Sequence, residues 1–234
     1  MSAKPEGAAL GREREELLEK VGKIVFPQAA LKLLRDGLIS IEGRTDEQIV
    51  DDVLSYLRSN LKNTTFGLVT DHATSILPEA RKFFRQGELE LSALYFATYY
   101  EHRLNWIIVQ ICETKRIDPR IIKQLLREAS MRAKCTWVMA LLELSPFPKE
   151  KLKAIDEISE VRNSFIHYKW PIESGDANTS QSSREQILTS LNKAESIVRY
   201  LRDFEQRHLY KGQGHRLLRA LAKRRRGSHT SEPI

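Results

Sequence analysis

Apolar residues recur at three- and four-residue intervals along most of the chain, and this periodicity is what most constrains the fold. Such spacing is typical of amphipathic α-helices, whose apolar side chains share one face. Helix breakers are scarce, since the 234 residues include only 11 glycines and 8 prolines. Apolar residues make up 41% and charged residues 29%, enough for a core and a solvated surface. We therefore expect an all-α protein.

Four long helical segments fill the second half of the chain. We expect them over about residues 89–115, 118–144, 148–167 and from 183 onward. Asp118 and Pro119 mark one start as N-cap and first-turn proline. Pro171 limits the third helix, because the residue before a proline disfavours helical backbone. Long helices with short connections favour an antiparallel four-helix bundle.

Shorter helices precede this bundle. Pro27 can open a short helix that ends near Gly37, and Thr45–Gln48 reads as a capping box that opens another. A further helix is expected over residues 76–85. We therefore divide the chain into an N-terminal helical extension (1–87), a helical bundle (88–210) and a basic C-terminal tail (211–234).

The cysteines and the apolar runs bear on cellular location. Cys112 and Cys135 lie in apolar segments without CxxC spacing, which disfavours a disulfide scaffold or a zinc site. The first 20 residues lack the apolar stretch of a secretory signal, and the apolar run Leu104–Cys112 is too short to cross a bilayer. We expect a soluble, cytoplasmic protein that needs no cofactor and has no membrane partner.

Positive charge is concentrated at the C-terminus. The net charge is +7, and residues 211–234 hold seven basic residues against one acidic residue. A basic segment on an otherwise balanced chain favours contact with a polyanion, with Arg224, Arg225 and Arg226 as the candidate binding residues. The alternative is a solvated tail that only aids solubility.

The segment "RNSFIH", Arg162 to His167, is the main candidate for chemistry. On an ideal helix Arg162 and His167 lie roughly 140° apart, whereas Asn163 and His167 share a face. Since the helix must end before Pro171, the backbone at His167 can depart from ideal helical geometry. The imidazole can then turn back towards Arg162. The segment can thus gather a fixed cation, an amide and an imidazole.

This set of groups suits cleavage of RNA without a metal. Histidine transfers protons near neutral pH, as attack by a 2′-hydroxyl on phosphorus requires. The guanidinium of Arg162 matches phosphate oxygens and stabilises negative charge that builds in the transition state. Asn163 can orient the imidazole or hold a phosphate oxygen. No acidic triad suited to magnesium lies nearby in the sequence.

The motif and its position at the end of a third bundle helix resemble the HEPN superfamily, whose motif is an arginine, a polar residue and a histidine a few residues later. The resemblance covers about residues 89–210. It implies a symmetric homodimer with facing motifs, acting as a metal-independent endoribonuclease in toxin–antitoxin or antiviral defence. It also implies that Arg162 and His167 are catalytic and that Asn163 supports them. An acidic residue on an earlier helix is expected beside the cleft, and Glu101 is the candidate.

Further expectations follow from that resemblance. The implied substrate is RNA. Lys169, beside the motif, and the tail arginines, which lie outside the resemblance, are the candidate RNA-binding residues. An antitoxin or another regulatory protein is an expected partner.

A non-catalytic bundle used for binding or scaffolding is the main alternative. In it Arg162 pairs with Glu157, Glu160 or a neighbouring helix, and His167 only caps a helix C-terminus. A third interpretation is a nucleic-acid-binding regulator that uses its basic tail. A metal site at Glu101, His102 and Asn105 is disfavoured, because no second ligand pair appears at helical spacing. The aromatic residues of the first bundle helix are expected mainly in the core.

Overall fold

The computed structural model describes residue 22 and residues 25–60, 73–166 and 177–228, without the side chains of 177–183 and 225–228. This part of the chain is helical and contains no strand, so the predicted all-α class is confirmed. Within it, no helix combines the length and the apolar character needed to cross a bilayer. The helices are α1 (residues 25–35), α2 (Asp46–Asn60), α3 (Ala73–Gln86), α4 (Leu89–Thr114), α5 (Pro119–Glu128), α6 (Met131–Cys135), α7 (Trp137–Leu141), α8 (Lys149–Ile166), α9 (Ala177–Leu191), α10 (Ala194–Tyr210) and α11 (Gly214–Ser228).

The chain forms two compact units. The terminal unit combines Met1–Val69 with Gln206–Ile234, and the central unit is Thr70–Glu205. This division differs from the predicted one at both ends. Residues before 87 do not form one extension, because α3 packs on α4, where the Ser92 hydroxyl donates to the Ala80 carbonyl at 3.0 Å. The segment after 210 is no separate tail, because α11 packs on α2.

In the terminal unit, α11 packs on α2 and shares a buried core with α1 and α2. Its apolar face contributes Leu217, Ala220 and Leu221 to a buried cluster with side chains of α1 and α2 such as Leu33 and Ile49. Burial of this face supplies most of what holds a short amphipathic helix in place. The C-terminal segment is therefore structural as well as basic.

The start of α2 follows the sequence prediction. The Gln48 amide N–H donates to the Thr45 hydroxyl at 3.3 Å, and the Thr45 N–H donates to the Gln48 side-chain oxygen at 2.9 Å. Two N–H groups that the first helical turn leaves unpaired are thus satisfied. The predicted capping box is confirmed.

In the central unit, α4 is the element that the others surround. It packs against α3, α8 and α9 and is buried on several faces, as expected for a helix with apolar and aromatic residues all round. Arg81 of α3 forms a bidentate pair with Glu195 at the start of α10, at 2.7 and 2.8 Å. This hydrogen bonding lowers the pKa of the Glu195 carboxyl. The described elements of this unit make a helical bundle.

The second predicted bundle helix is wrong as a single element, since residues 118–144 form α5, α6 and α7. Asp118 caps α5 as expected, accepting from the Arg120 N–H at 2.8 Å. Ala129 is extended, and the Ser130 hydroxyl caps a new helix by accepting from the Ala133 N–H at 3.1 Å. The break changes the helical phase, so that Trp137, which one continuous helix would place on the apolar stripe, is 54% exposed.

The predicted fourth helix also differs. It begins at Ala177, before the expected start at residue 183, which lies inside α9. A turn at Asn192 and Lys193 then separates α9 from α10, with the Ser196 hydroxyl donating to the Lys193 carbonyl at 2.7 Å. Neither glycine nor proline marks this turn, and the apolar periodicity continues from α9 into α10. The sequence therefore predicted a single helix.

Candidate functional site

Arg162 lies in the last described turn of α8. The helix begins after Pro148, as predicted, and its buried residues Leu152, Ile155 and Ile158 face α4 and the rest of the core. Arg162 follows Ile158 by one turn, which places it at the edge of this apolar face. Its side chain is 24% exposed, so the guanidinium is held by protein and still reaches solvent.

The Arg162 guanidinium contacts two of the other predicted site residues. Its Nε donates to the Asn163 side-chain oxygen at 3.2 Å, and its Nη1 donates to Glu101 Oε2 on α4 at 3.3 Å. The structure thus brings together Arg162, Asn163 and Glu101. His167 and Lys169 lie outside the described residues, so their positions relative to this group stay predictions.

Lys134 joins the group, although the sequence did not single it out. Its Nζ lies 3.7 Å from Glu101 Oε1, and its side chain is 2% exposed. One carboxylate therefore bridges two cations, with one oxygen towards each. We refer to Glu101, Lys134, Arg162 and Asn163 as the bridged cluster.

Three helices of the central unit position the bridged cluster. α4 carries Glu101, α6 carries Lys134, and α8 carries the other two residues. An ion pair between Arg132 and Asp156 ties α6 to α8. The Phe147 N–H donates to the Cys135 carbonyl at 3.0 Å, which ties the segment before α8 back to α6. These contacts hold the lysine beside the carboxylate.

The helix break at Ser130 explains why Lys134 was missed. On one continuous helix the apolar stripe runs through Ala133 and Trp137, and a lysine between them looks solvent-facing. In the structure Trp137 is exposed, whereas Lys134, Cys135 and Val138 are buried. The only signal in the sequence was the Ser130 hydroxyl three residues before Ala133, a modest N-cap pattern.

Two further polar side chains lie one turn away from the bridged cluster along its helices. Asn105 follows Glu101 on α4, and Ser159 precedes Asn163 on α8. The Asn105 side-chain oxygen and the Ser159 hydroxyl are both buried, and neither has a hydrogen-bond partner in the described part of the chain. Leaving such a group unpaired costs about 1–3 kcal/mol. Hydrogen-bonding groups without a partner therefore lie beside the bridged cluster on both α4 and α8.

The two cysteines are poor candidates for nucleophilic chemistry. Burial raises the pKa of Cys135 to about 12, and the nearby Asp156 carboxylate adds to this effect. Burial also raises the pKa of Cys112. A thiol that stays protonated at neutral pH is neither a nucleophile nor a metal ligand. Although Cys135 is next to Lys134 in the chain, it belongs to the core.

Other sequence candidates also take structural positions. Phe96, Tyr99 and Tyr100 are buried, and the Tyr100 hydroxyl donates to the Ala194 carbonyl at 3.1 Å. These three rings belong to the core, as expected for the aromatic residues of this helix. Among the described residues, no group of three or more His, Cys, Asp or Glu side chains is arranged to hold a metal ion.

Two basic residues of α11, Lys223 and Arg224, are paired with carboxylates of α2 within the terminal unit. Arg224 Nη1 donates to Asp51 at 2.7 Å, and Lys223 pairs with Asp46. The hydrogen bond from Lys223 lowers the pKa of the Asp46 carboxyl. Arg225 and Arg226 lie in α11, but their side chains are outside the described residues. Arg224 is thus engaged with α2 in this structure.

The bridged cluster is the candidate functional site on geometric grounds. It joins residues distant in sequence, it is partly open to solvent, and it includes both a charged guanidinium group and a side-chain amide. Comparison of the chain with protein-family models, with curated proteins and with solved structures found no match.

Proposed function

We propose that the protein is a metal-independent endoribonuclease of HEPN type that acts as a symmetric dimer in toxin–antitoxin or antiviral defence. The observation that supports this most is the Arg162 guanidinium. It lies at the partly exposed end of α8 and is oriented by Glu101 on one side and Asn163 on the other. An oriented cation open to solvent is what charge stabilisation at a scissile phosphate requires.

The donor count of Arg162 fits this role. A guanidinium has five N–H donors, and the bonds to Asn163 and Glu101 use two of them. The remaining donors can form the two-pronged contact that arginine makes with phosphate oxygens. Glu101 then orients Arg162 and takes no proton itself.

In the proposed reaction His167 carries the proton. The imidazole takes the proton of the 2′-hydroxyl, and the 2′-oxygen attacks the adjacent phosphorus. The bond to the 5′-oxygen breaks, and the imidazolium returns the proton to that oxygen. The products are a 2′,3′-cyclic phosphate and a 5′-hydroxyl. Because the attacking group is the 2′-hydroxyl, DNA is no substrate.

The non-catalytic bundle is a second candidate, and one observation favours it. The contact between Arg162 and Glu101 is also what a structural ion pair between α8 and α4 looks like. Such a pair joins two packed helices without any chemistry. The rate of RNA cleavage by Arg162 variants distinguishes a structural ion pair from a catalytic group.

The decisive experiment incubates the purified protein with total RNA and a chelator. We expect cleavage with 2′,3′-cyclic phosphate ends. Arg162→Ala and His167→Ala should each lower the rate by about 10²-fold or more. Arg120→Ala and His215→Ala, at exposed positions, are the matched controls and should cut like the parent. If Arg162→Ala cuts as fast as the parent while folded, the nuclease assignment fails.

The contribution of the tail must be tested by substitution and not by deletion. Removing residues 211–234 would also remove Leu217 and Leu221 from the core of the terminal unit. A triple alanine variant of Arg224, Arg225 and Arg226 keeps those residues. If the tail binds RNA, this variant should show weaker RNA binding and a shallower salt dependence. A preference of the parent for duplex DNA over RNA would instead favour a regulator.

A further inference from the structure

Lys134 differs from the other lysines that the structure describes because its ammonium group is withdrawn from solvent. Its side chain is 2% exposed, whereas Lys223 in the terminal unit is 66% exposed. Burying an ammonium group is costly unless a partner of opposite charge compensates. The Glu101 carboxylate, at 3.7 Å, is the partner that the structure shows.

The compensation at Lys134 is shared with a second cation. Glu101 directs Oε1 to Lys134 and Oε2 to Arg162, so each oxygen of one carboxylate faces a different cation. A carboxylate held from one side by a fixed buried charge has little freedom to rotate or withdraw. Its other oxygen therefore presents a fixed acceptor to the Arg162 guanidinium.

We propose that Lys134 is a positioning residue of the site, which holds Glu101 and through it fixes the orientation of Arg162. The effect of Lys134 on catalysis rests on the proposed nuclease function, whereas its effect on the orientation of Arg162 does not. Lys134 is too buried to contact RNA directly. Its effect passes through the carboxylate to the guanidinium that would bind the scissile phosphate.

Stability alone does not account for a lysine at this position. Removing one partner of a buried ion pair destabilises chiefly because the other charge is left uncompensated. After Lys134→Met, Glu101 keeps Arg162 as its counter-charge, so no uncompensated carboxylate remains. We expect this variant to fold and to lose only the fixed orientation of Glu101.

The first measurement follows the Arg162 side chain by NMR, through its Nε–H signal, assigned by comparison with Arg162→Lys. We expect hydrogen exchange at this N–H to be severalfold faster in Lys134→Met and near the parent rate in Lys134→Arg, which keeps the charge. Lys32→Met is the matched control, because it removes an ion-paired lysine that lies in the other unit and outside the basic tail. It should leave the Arg162 signal unchanged.

The second measurement is RNA cleavage under chelation. We expect Lys134→Met to lower kcat by about 10- to 100-fold with little change in KM, because a misplaced group costs rate more than binding. Lys134→Arg should recover part of this loss. Lys32→Met should cut like the parent.

The outcomes separate the two proposals. If the parent does not cut RNA but the Arg162 signal depends on Lys134, the nuclease function fails and the positioning role stands. The positioning role is overturned if the Arg162 signal is unchanged in a folded Lys134→Met. It is also overturned if the parent cuts RNA and Lys134→Met changes the signal but not the cleavage rate. Should Lys134→Met unfold, Lys134→Gln takes its place. If both variants unfold, Lys134 is a structural residue and the proposal is rejected.

Discussion

Two groups of ion pairs in this protein combine the same kinds of side chain but differ in their exposure to solvent and in the number of cations per carboxylate. Between α2 and α11 each cation has its own carboxylate, Lys223 with Asp46 and Arg224 with Asp51. These pairs lie on the surface, where the lysine is 66% and the arginine 52% exposed. In the bridged cluster one carboxylate serves two cations that are 2% and 24% exposed.

Local charge balance is thus a better guide to an electrostatic site than the net charge of a region. The sequence places its excess of positive charge at the C-terminus, and that excess drew attention to the tail. In the structure, two of the tail cations are matched by the acidic face of α2. The bridged cluster has more cations than carboxylates, although residues 1–183 are balanced overall. An electrostatic site is thus found through contacts and not through composition.

The largest effect should come from the apolar side of α11 and not from its charges. Leu217 is fully buried in the terminal unit. Leu217→Ala should lower the free energy of unfolding by about 2–5 kcal/mol, because it removes buried methyl groups and leaves a cavity. Urea denaturation measures this, with exposed Arg219→Ala as the control. A loss below about 1 kcal/mol would show that α11 is not held by its core contacts.

Breaking the bridged cluster at its carboxylate should have the next largest effect. Glu101→Ala leaves the buried Lys134 ammonium beside Arg162 without the carboxylate between them. We expect a loss of about 1–3 kcal/mol, below the full cost for a buried pair because Glu101 is 40% exposed.

Asp51→Ala is the matched control for that change. It removes the partner of exposed Arg224, which water can solvate instead, so the loss should stay below about 1 kcal/mol. Both losses are read from the same urea denaturation experiment. Equal losses in the two variants would remove the distinction between the cluster and the surface pairs.

Features that depend on neighbouring residues could be predicted from the sequence. The Thr45–Gln48 capping box, the Asp118 cap and the start of α8 after Pro148 all follow from local hydrogen bonding or backbone restriction. Gly87 ends α3 with a φ of +76°, a conformation that glycine adopts without strain. The breaks at Ser130 and Asn192 were missed because the apolar periodicity continues through both.

The candidate site could be predicted only in part, for the same reason. Arg162 and Asn163 are neighbours in a motif, and Glu101 was placed beside them by the resemblance. Lys134 enters through tertiary contacts, since a break in helical phase turns it inward. No local pattern encodes a pairing between α6 and α4. The catalytic roles of Arg162, Asn163, Glu101 and His167 stay predictions.

A smaller effect tests how much the terminal unit owes to local hydrogen bonds. Thr45→Ala removes the hydroxyl that accepts from the Gln48 N–H and should cost about 1 kcal/mol. Thr189→Ala, which removes an exposed hydroxyl bonded within α9, is the control and should change little. Thermal unfolding followed by circular dichroism measures both. A loss as large as that of Leu217→Ala would mean that capping, and not apolar burial, dominates this unit.

The smallest effect is expected for the surface pair between Arg224 and Asp51. Arg224→Ala should lower the free energy of unfolding by less than about 1 kcal/mol, because the pair is solvated and screened. Adding salt should remove most of that difference, whereas the loss in Glu101→Ala should persist, because Lys134 is shielded from ions. The neighbouring pair adds a pH dependence of known sign. Lys223 lowers the pKa of the Asp46 carboxyl. The pair of Lys223 and Asp46 therefore stabilises the fold at neutral pH, and this stabilisation is lost as acid protonates the carboxylate. A salt response in Glu101→Ala as strong as that in Arg224→Ala would show that the bridged cluster is no less solvated than the surface of α11.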